Sequence, residues 1–266
     1  MTEQFQSIIR MNDEDGQRWY QHEGLEGKPR VPSVTTVIDH YMGRDDQDYL
    51  LSVDKETNDM ILQKTSQIGN EIQELCILQQ GEDQEKYQAR LKELPAARVK
   101  VMKSWVQIVE REKIRPIHWG RRVFSTKYGY AGEIDFEVEI DGNVSICDIK
   151  SGKYKYKAGY QVQAYREALI EMGAYKREDL GASVLHLPRD GSKARLYTFQ
   201  HHEFCFVKFL SLLELFKGDY AWKLAQEGYK WRYHNAFREL YNVPQEGVSD
   251  GLEATVDSLY GLSESA

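Results

Sequence analysis

The sequence predicts an α/β fold, a mixed central sheet flanked by helices with a helical lobe ahead of it. Two patterns carry this reading. Between residues 55 and 112 apolar residues recur at helical spacing, and after Pro116 the period changes to that of strands. A β-meander, one helix and then further strands require a crossover, which builds a mixed sheet covered by helices.

Residues 17–22 (QRWYQH) alternate as a short strand. A Gly-rich turn follows, and then Pro32-Ser33-Val34-Thr35-Thr36-Val37-Ile38, where Ser33 can cap a short helix carrying Val34, Val37 and Ile38. Residues 55–80 read as a helix with Ile61, Ile68, Ile72, Leu75 and Leu78 near one stripe, ended by Gly81. Helical segments over 83–94 and 96–112 are separated by Pro95, and Val99, Met102, Val106 and Val109 form the buried stripe of the second. Strands are expected at 121–126, 131–140 and 144–150, the last two joined by a hairpin turn at Asp141-Gly142-Asn143. A basic loop leads into a helix over 158–172. Strands at 182–188 and 194–199 flank Arg189-Asp190-Gly191, and two helices follow, at about 201–217 and 219–238. The simplest organisation is a single domain over 1–243, made of the lobe (55–112), a core (115–200) and closing helices (201–238). An acidic, mobile tail is expected at 244–266.

The 266 residues suffice for a sizeable core without disulfides, and 41% hydrophobic with 29% charged residues is ordinary for a globular protein. Cys76, Cys147 and Cys205 lie far apart with no CxxC pair, which excludes a four-cysteine zinc or iron–sulfur site on ligand count. Their odd number argues against a disulfide framework and for reduced thiols in a cytoplasm. No signal peptide and no apolar run approaching 18 residues is present, so no membrane span is expected. The net charge of −7 disfavours a broad nucleic-acid-binding face, yet five acids between 244 and 266, with no Lys or Arg there, leave the first 243 residues near −2.

Chemistry concentrates in two adjacent predicted strands. Glu133 and Asp135 stand in GEID, Asp148 and Lys150 in CDIK. Alternate strand residues share a face, so Asp148 and Lys150 point together and Ile149 turns into the core. The hairpin folds one strand back on the other, and a neighbouring position for Asp135 follows if the strand bends. Two carboxylates and a lysine about one point suit phosphodiester hydrolysis. The carboxylates would hold Mg²⁺ or Mn²⁺, and the lysine would orient water or stabilise charge on the phosphate. An acid-x-Lys triplet alone is more often a solvated strand face. Here Gly132-x-x-Asp135 precedes it and Gln161-x-x-x-Tyr165 follows on a helix, where i and i+4 share a side. Gln161, Ala164, Tyr165 and Ala168 also read as a packing stripe.

Residues 128–168, YGYAGEIDFEVEIDGNVSICDIKSGKYKYKAGYQVQAYREA, resemble the core of PD-(D/E)XK nucleases of the RecB-like branch, near phage-type exonucleases and the mitochondrial genome maintenance exonuclease family. The segment RWYQHEGLEGKPRVPSVTTVI is similar to the start of those proteins, an aromatic strand followed by Pro-Ser-Val-Thr-Thr, and the resemblance spans roughly residues 17–200. It implies that Asp135, Asp148 and the Ile149 carbonyl bind metal, that Lys150 acts at the scissile phosphate, and that Gln161 and Tyr165 complete the catalytic site. It further implies exonuclease action on DNA ends, single- or double-stranded, in phage or bacterial recombination or repair, beside a recombination partner protein. An endonuclease with the same core and an inactive nuclease-like DNA-binding protein are the alternatives. In one departure, the Gly-x-x-x-His common in such proteins reads Gly69-Asn70-Glu71-Ile72-Gln73 here, leaving Gln73 as the further, weaker ligand, with Glu71 or Glu74 as substitutes.

The loop Lys153-Tyr154-Lys155-Tyr156-Lys157 alternates basic and aromatic residues. Its lysines could grip DNA phosphates and its tyrosines stack bases, or it could be a solvated strand extension with tyrosines packed inward. His201-His202 reads as the structural start of a helix.

Overall fold

A computed structural model of the chain describes residues 5, 7–12, 17–43, 54–81, 83–152, 156–200 and 202–226. The expected tail at 244–266, the stretch 227–238 of the closing helices, and Lys153, Tyr154, Lys155 and His201 lie outside the described residues.

The chain opens with a three-stranded antiparallel sheet in the order β1 (Ile8–Asn12), β2 (Arg18–His22) and β3 (Arg30–Pro32). Only the middle strand was legible as an alternating run. Ile8–Asn12 does not alternate and β3 is three residues long, below any usable period. Helix α1 (Val34–Met42) follows at once, because the Ser33 hydroxyl accepts a hydrogen bond from the Thr36 N–H at 3.0 Å. Helices α2 (Lys55–Gln80), α3 (Gln84–Glu93) and α4 (Ala96–Arg111) build the lobe, with Gly81 and Pro95 at the breaks.

The main sheet has the order β4 (Ile114–Ser125), β5 (Tyr130–Ile140), β6 (Asn143–Lys150), β7 (Gly181–His186) and β8 (Arg195–Thr198). Every pairing is antiparallel except β6–β7, which runs parallel because helix α5 (Lys157–Glu171) crosses between them. The mixed sheet and crossover therefore agree with the reading from sequence. The β5–β6 hairpin turns on two residues, Asp141 and Gly142, both with positive φ, and Ile140 pairs with Asn143. Strand β4 begins seven residues before the expected 121 and runs through Pro116. It is an edge strand, and a register shift between Pro116 and His118 absorbs the missing N–H.

Two cores cover the sheet. On one face, α2, α3 and α4 bury Ile72, Leu75, Trp105 and Ile108 against Phe136, Val138, Cys147 and Leu185. On the other, α1, α5 and the last helix, α6 (His202–Gln226), bury Val37, Val162, Ala168, Phe209 and Phe216 against Tyr130, Ile134, Ile146 and Val184. The closing helix is single, where two were expected around a break at 218. Phe206, Phe209, Leu213 and Phe216 keep one packed stripe, and Gly218, at a cost of about 1 kcal/mol, does not interrupt it. A small third core joins Ile8, Tyr20 and Val31 to Phe124 and Ala131, which fastens the N-terminal sheet to β4 and β5.

Phe136 is fully buried, stacked on Trp119 at 4.7 Å between ring centroids and edge-on to Trp105 at 6.2 Å. It ties α4 and β4 to the residue next to Asp135. Phe136→Ala is expected to lower unfolding stability by about 3–5 kcal/mol in urea titration. A loss below about 1 kcal/mol would show that this contact does not hold the lobe to the sheet.

Candidate active site

The site forms where β5 and β6 part. Their ladder pairs Ile140 with Asn143 and continues to Phe136 and Cys147, where it stops. Asp135 and Asp148 are the next residues on each strand. Beyond them β6 stays paired with β7, Asp148 beside Val184 and Lys150 beside His186. The divergence comes from β5. Ile134 packs in one core and Phe136 in the other, although residues two apart on a regular strand share a face. The strand rotates at Asp135, opposite Gly120, which has φ +66° and sits between the pairs Trp119–Phe136 and Arg121–Ile134. The Asp135 carboxylate then spans the opened fork and accepts the Ile149 N–H at 2.7 Å.

Helix α5 supplies the third side. Gln161 Nε2 donates to Asp148 Oδ1 at 2.8 Å and to the Tyr165 hydroxyl at 3.2 Å, while Gln161 Oε1 accepts from Lys150 Nζ at 2.9 Å. Lys150 Nζ also stands 2.7 Å from Asp148 Oδ2. That contact has ion-pair distance without the direction of a hydrogen bond, and Asp148 Oδ2, in a residue only 2% exposed, has no hydrogen-bond partner. Gly132 explains the spacing Gly-x-x-Asp: a Cβ there would lie 2.2 Å from Tyr165 Cε1, so only glycine lets the ring lie against β5. Ala164 and Ala168 pack in the core, so α5 serves as packing helix and site wall together.

These residues line one cavity of about 240 Å³ with Gln73, which reaches it from α2. Asp135, Asp148, Ile149, Lys150, Gln161, Tyr165 and Gln73 are thus brought together as the sequence grouped them. Glu71 instead pairs with Arg98 at 3.0 Å, and Glu133 reaches the cavity but is held by Arg122 at 3.2 Å. Tyr156 is 67% exposed, rests against Tyr160, and does not line the cavity. Lys157 Nζ is held by Asp39 Oδ1 at 2.9 Å and the Gly43 carbonyl at 2.7 Å, a tie between α5 and α1. His202 Nδ1 bonds Gln163 Nε2 at 2.7 Å, away from the site. Arg18, Thr35, Ser66 and Asn70 also line the cavity and were not foreseen. A signal existed for two of them: Ser66, Asn70 and Gln73 follow helical spacing on α2, a polar stripe beside the apolar one.

Burial, and next the Asp148 carboxylate, push the Asp135 carboxyl up to about 7, against the opposing pull of Lys150 and the Ile149 N–H. Burial alone would lower the Lys150 ammonium, but Asp148 and Asp135 outweigh it and leave it raised, hence charged. Burial raises the Tyr165 phenol well above its usual value. Burial likewise raises Cys76 and Cys147, which stay thiols, and the three cysteines are free. Among the described residues no group of three or more His, Cys, Asp or Glu side chains gathers as a metal nest. The lining residues able to offer oxygen donors are Asp135, Asp148, Ile149 through its carbonyl and Gln73 through its amide, and one Asp148 oxygen has no hydrogen bond.

Folded Asp135 keeps its proton up to about pH 7, whereas the unfolded chain releases it near the ordinary aspartate value of about 3.9. The folded state therefore binds more protons in that window, and stability falls as pH rises from about 4 to 7. Urea midpoints measured in EDTA should decline over this range, and Asp135→Asn should flatten the decline. Equal slopes in both proteins would remove Asp135 as its source. No family model and no curated protein sequence matches this chain.

Proposed function

We propose that the chain is a metal-dependent deoxyribonuclease of the PD-(D/E)XK type, hydrolysing phosphodiester bonds from DNA ends. The observation that carries the reading is the convergence of Asp135, Asp148 and Lys150 in one cavity, with Gln161 bonded to both Asp148 and Lys150. The donor set fits Mg²⁺ or Mn²⁺, hard cations that take oxygen ligands from one or two carboxylates and leave the rest to water and phosphate. Asp135, Asp148, the Ile149 carbonyl and Gln73 would hold it. When bound, such an ion supplies Lewis acidity, acidifying water and drawing charge from the scissile phosphate.

The protein's own groups do the remaining work. Gln161 fixes the Asp148 carboxylate and the Lys150 ammonium in one orientation, so neither reorganises as charge develops on phosphate. Lys150, raised and therefore charged, is one-third exposed toward the cavity and can donate to a phosphate oxygen. Tyr165 accepts from Gln161 and keeps its own proton. Support for ends comes from α2, whose Ser66, Asn70 and Gln73 line the same cavity as the two strands, a space of about 240 Å³ that is far too small for uninterrupted duplex. The net charge of −7 agrees with a few local contacts in preference to a wide duplex face. Lys153, Tyr154 and Lys155 come three to five residues after Lys150 and are the candidate grip on the backbone.

With Mn²⁺ or Mg²⁺, end-labelled linear DNA should be degraded and closed circular DNA largely spared, and EDTA should stop the reaction. Efficient cutting of closed circles would replace the exonuclease reading by an endonuclease on the same core. Lys150→Ala is expected to reduce the rate by about 10²–10³ while the melting curve stays cooperative. Cleavage at wild-type speed in that variant would take Lys150 out of the mechanism.

A further inference from the structure

Arg18 lines the catalytic cavity from β2, and its guanidinium makes no hydrogen bond or ion pair among the described residues. The acids around it are already engaged. Asp148 pairs with Lys150 at 2.7 Å, Asp135 accepts the Ile149 N–H at 2.7 Å, and Glu133 pairs with Arg122 at 3.2 Å. A guanidinium in a polar cavity whose acids are each engaged by another group is free to take an anion, and its planar fork matches phosphate oxygens.

The backbone beneath Arg18 is clamped from both sides. Its N–H donates to Thr36 Oγ1 at 3.1 Å, and its carbonyl accepts from Thr36 Oγ1 at 3.0 Å and from the Ser33 N–H at 3.0 Å. The Ser33 hydroxyl in turn donates to Thr36 Oγ1 at 2.9 Å. The Pro-Ser-Val-Thr-Thr segment therefore does more than start a helix: it fixes where Arg18 emerges. Thr35, Ser66 and Asn70, all neutral hydrogen-bonding side chains, share the same cavity.

We propose that Arg18, with Thr35, Ser66 and Asn70, forms a phosphate subsite that holds a substrate phosphate other than the scissile one. This rests on the reading of the cavity as a nuclease site. Electrostatics gives the subsite its purpose. Asp135 and Asp148 repel a polyanionic strand, and Lys150 is shared with Asp148, so the second cation offsets the repulsion where the chain passes. The phosphate is either an internal diester or a terminal monoester, and both present the oxygens Arg18 would take.

The test uses the full chain, wild type, Arg18→Ala and Arg18→Lys, with short single-stranded DNA. One series carries a neutral methylphosphonate at each internal position in turn, and another carries a phosphate or a hydroxyl at either end. Binding is read by fluorescence anisotropy in EDTA, and cutting as kcat/KM with Mn²⁺. Arg18→Ala should lose about ten- to hundredfold in both, and Arg18→Lys should recover part of the loss. One neutral position, or removal of one end phosphate, should cost the wild type a similar factor and cost Arg18→Ala nothing further. An internal position identifies a diester and an end position a monoester. Equal penalties in the two proteins, or no sensitive phosphate in the wild type, overturn the subsite. If Arg18→Ala fails to fold, Arg18→Lys against the wild type decides by the same comparison. DNA that is bound with this coupling but never cut would sink the nuclease reading and leave the subsite standing. Cutting without coupling would do the reverse, and absence of DNA binding would remove both.

Discussion

Two carboxylates cannot share a protein interior as free anions. Each is disfavoured by lost hydration and again by the other's charge, and a fold that buries such a pair must supply compensation at fixed positions. Asp135 and Asp148 impose this constraint here. Compensation comes from the Ile149 N–H, the Gln161 amide and the Lys150 ammonium, each held by a different part of the chain. It is incomplete, since Asp135 is pushed toward its neutral form and one oxygen of Asp148 has no hydrogen bond. A residual deficit of positive charge at an oxygen-lined cavity is what a divalent cation would meet.

Much of the surrounding architecture follows from keeping that arrangement open. A regular hairpin would close the ladder over Asp135 and Asp148 and turn the pair into an ordinary cross-strand contact. Rotation of β5 at Asp135, between Ile134 in one core and Phe136 in the other, prevents this. The two cores hold the fork from opposite faces, with α2 and α4 on one and α5 on the other. Gly132 lets Tyr165 lie close enough for Gln161 to reach Asp148. Site and fold are therefore one set of contacts, and a change in the aromatic packing around Phe136 acts within one residue of Asp135.

The N-terminal sheet has an equivalent role. It is attached through its small core of Ile8, Tyr20 and Val31 and brings Arg18 and the capped start of α1 to the cavity rim. The same Thr36 hydroxyl that bonds the Ser33 cap holds the backbone of Arg18, so a local helix signal and a distant strand share one hydrogen-bond cluster. Holding the backbone of Arg18 on both sides fixes the point from which its side chain reaches the cavity.

By itself the sequence determined the alternation of helix and strand, the Ser33 cap, the Asp141-Gly142 turn and the shared face of Asp148 and Lys150, while the wider grouping with Asp135, Gln161 and Tyr165 leaned on a strand bend and on the resemblance. These are properties of short range: periodicity, capping, turn chemistry and the facing of residues two or four apart depend only on neighbours in the chain. Tertiary structure alone decided the rest. The three-stranded sheet rests on pairing between runs too short to show a period, and β4 passes through Pro116 because it is an edge strand, a fact about neighbours in space. Helix α6 continues past 218 because its stripe finds a partner in the core. Arg18 looked like one charge in an aromatic strand, and Lys157 like one more basic residue in a loop. Only their surroundings separate them, a clamped position over the cavity for Arg18 and a tie to Asp39 for Lys157, since the partner of a charge is set by which distant segments the fold brings within a few ångströms.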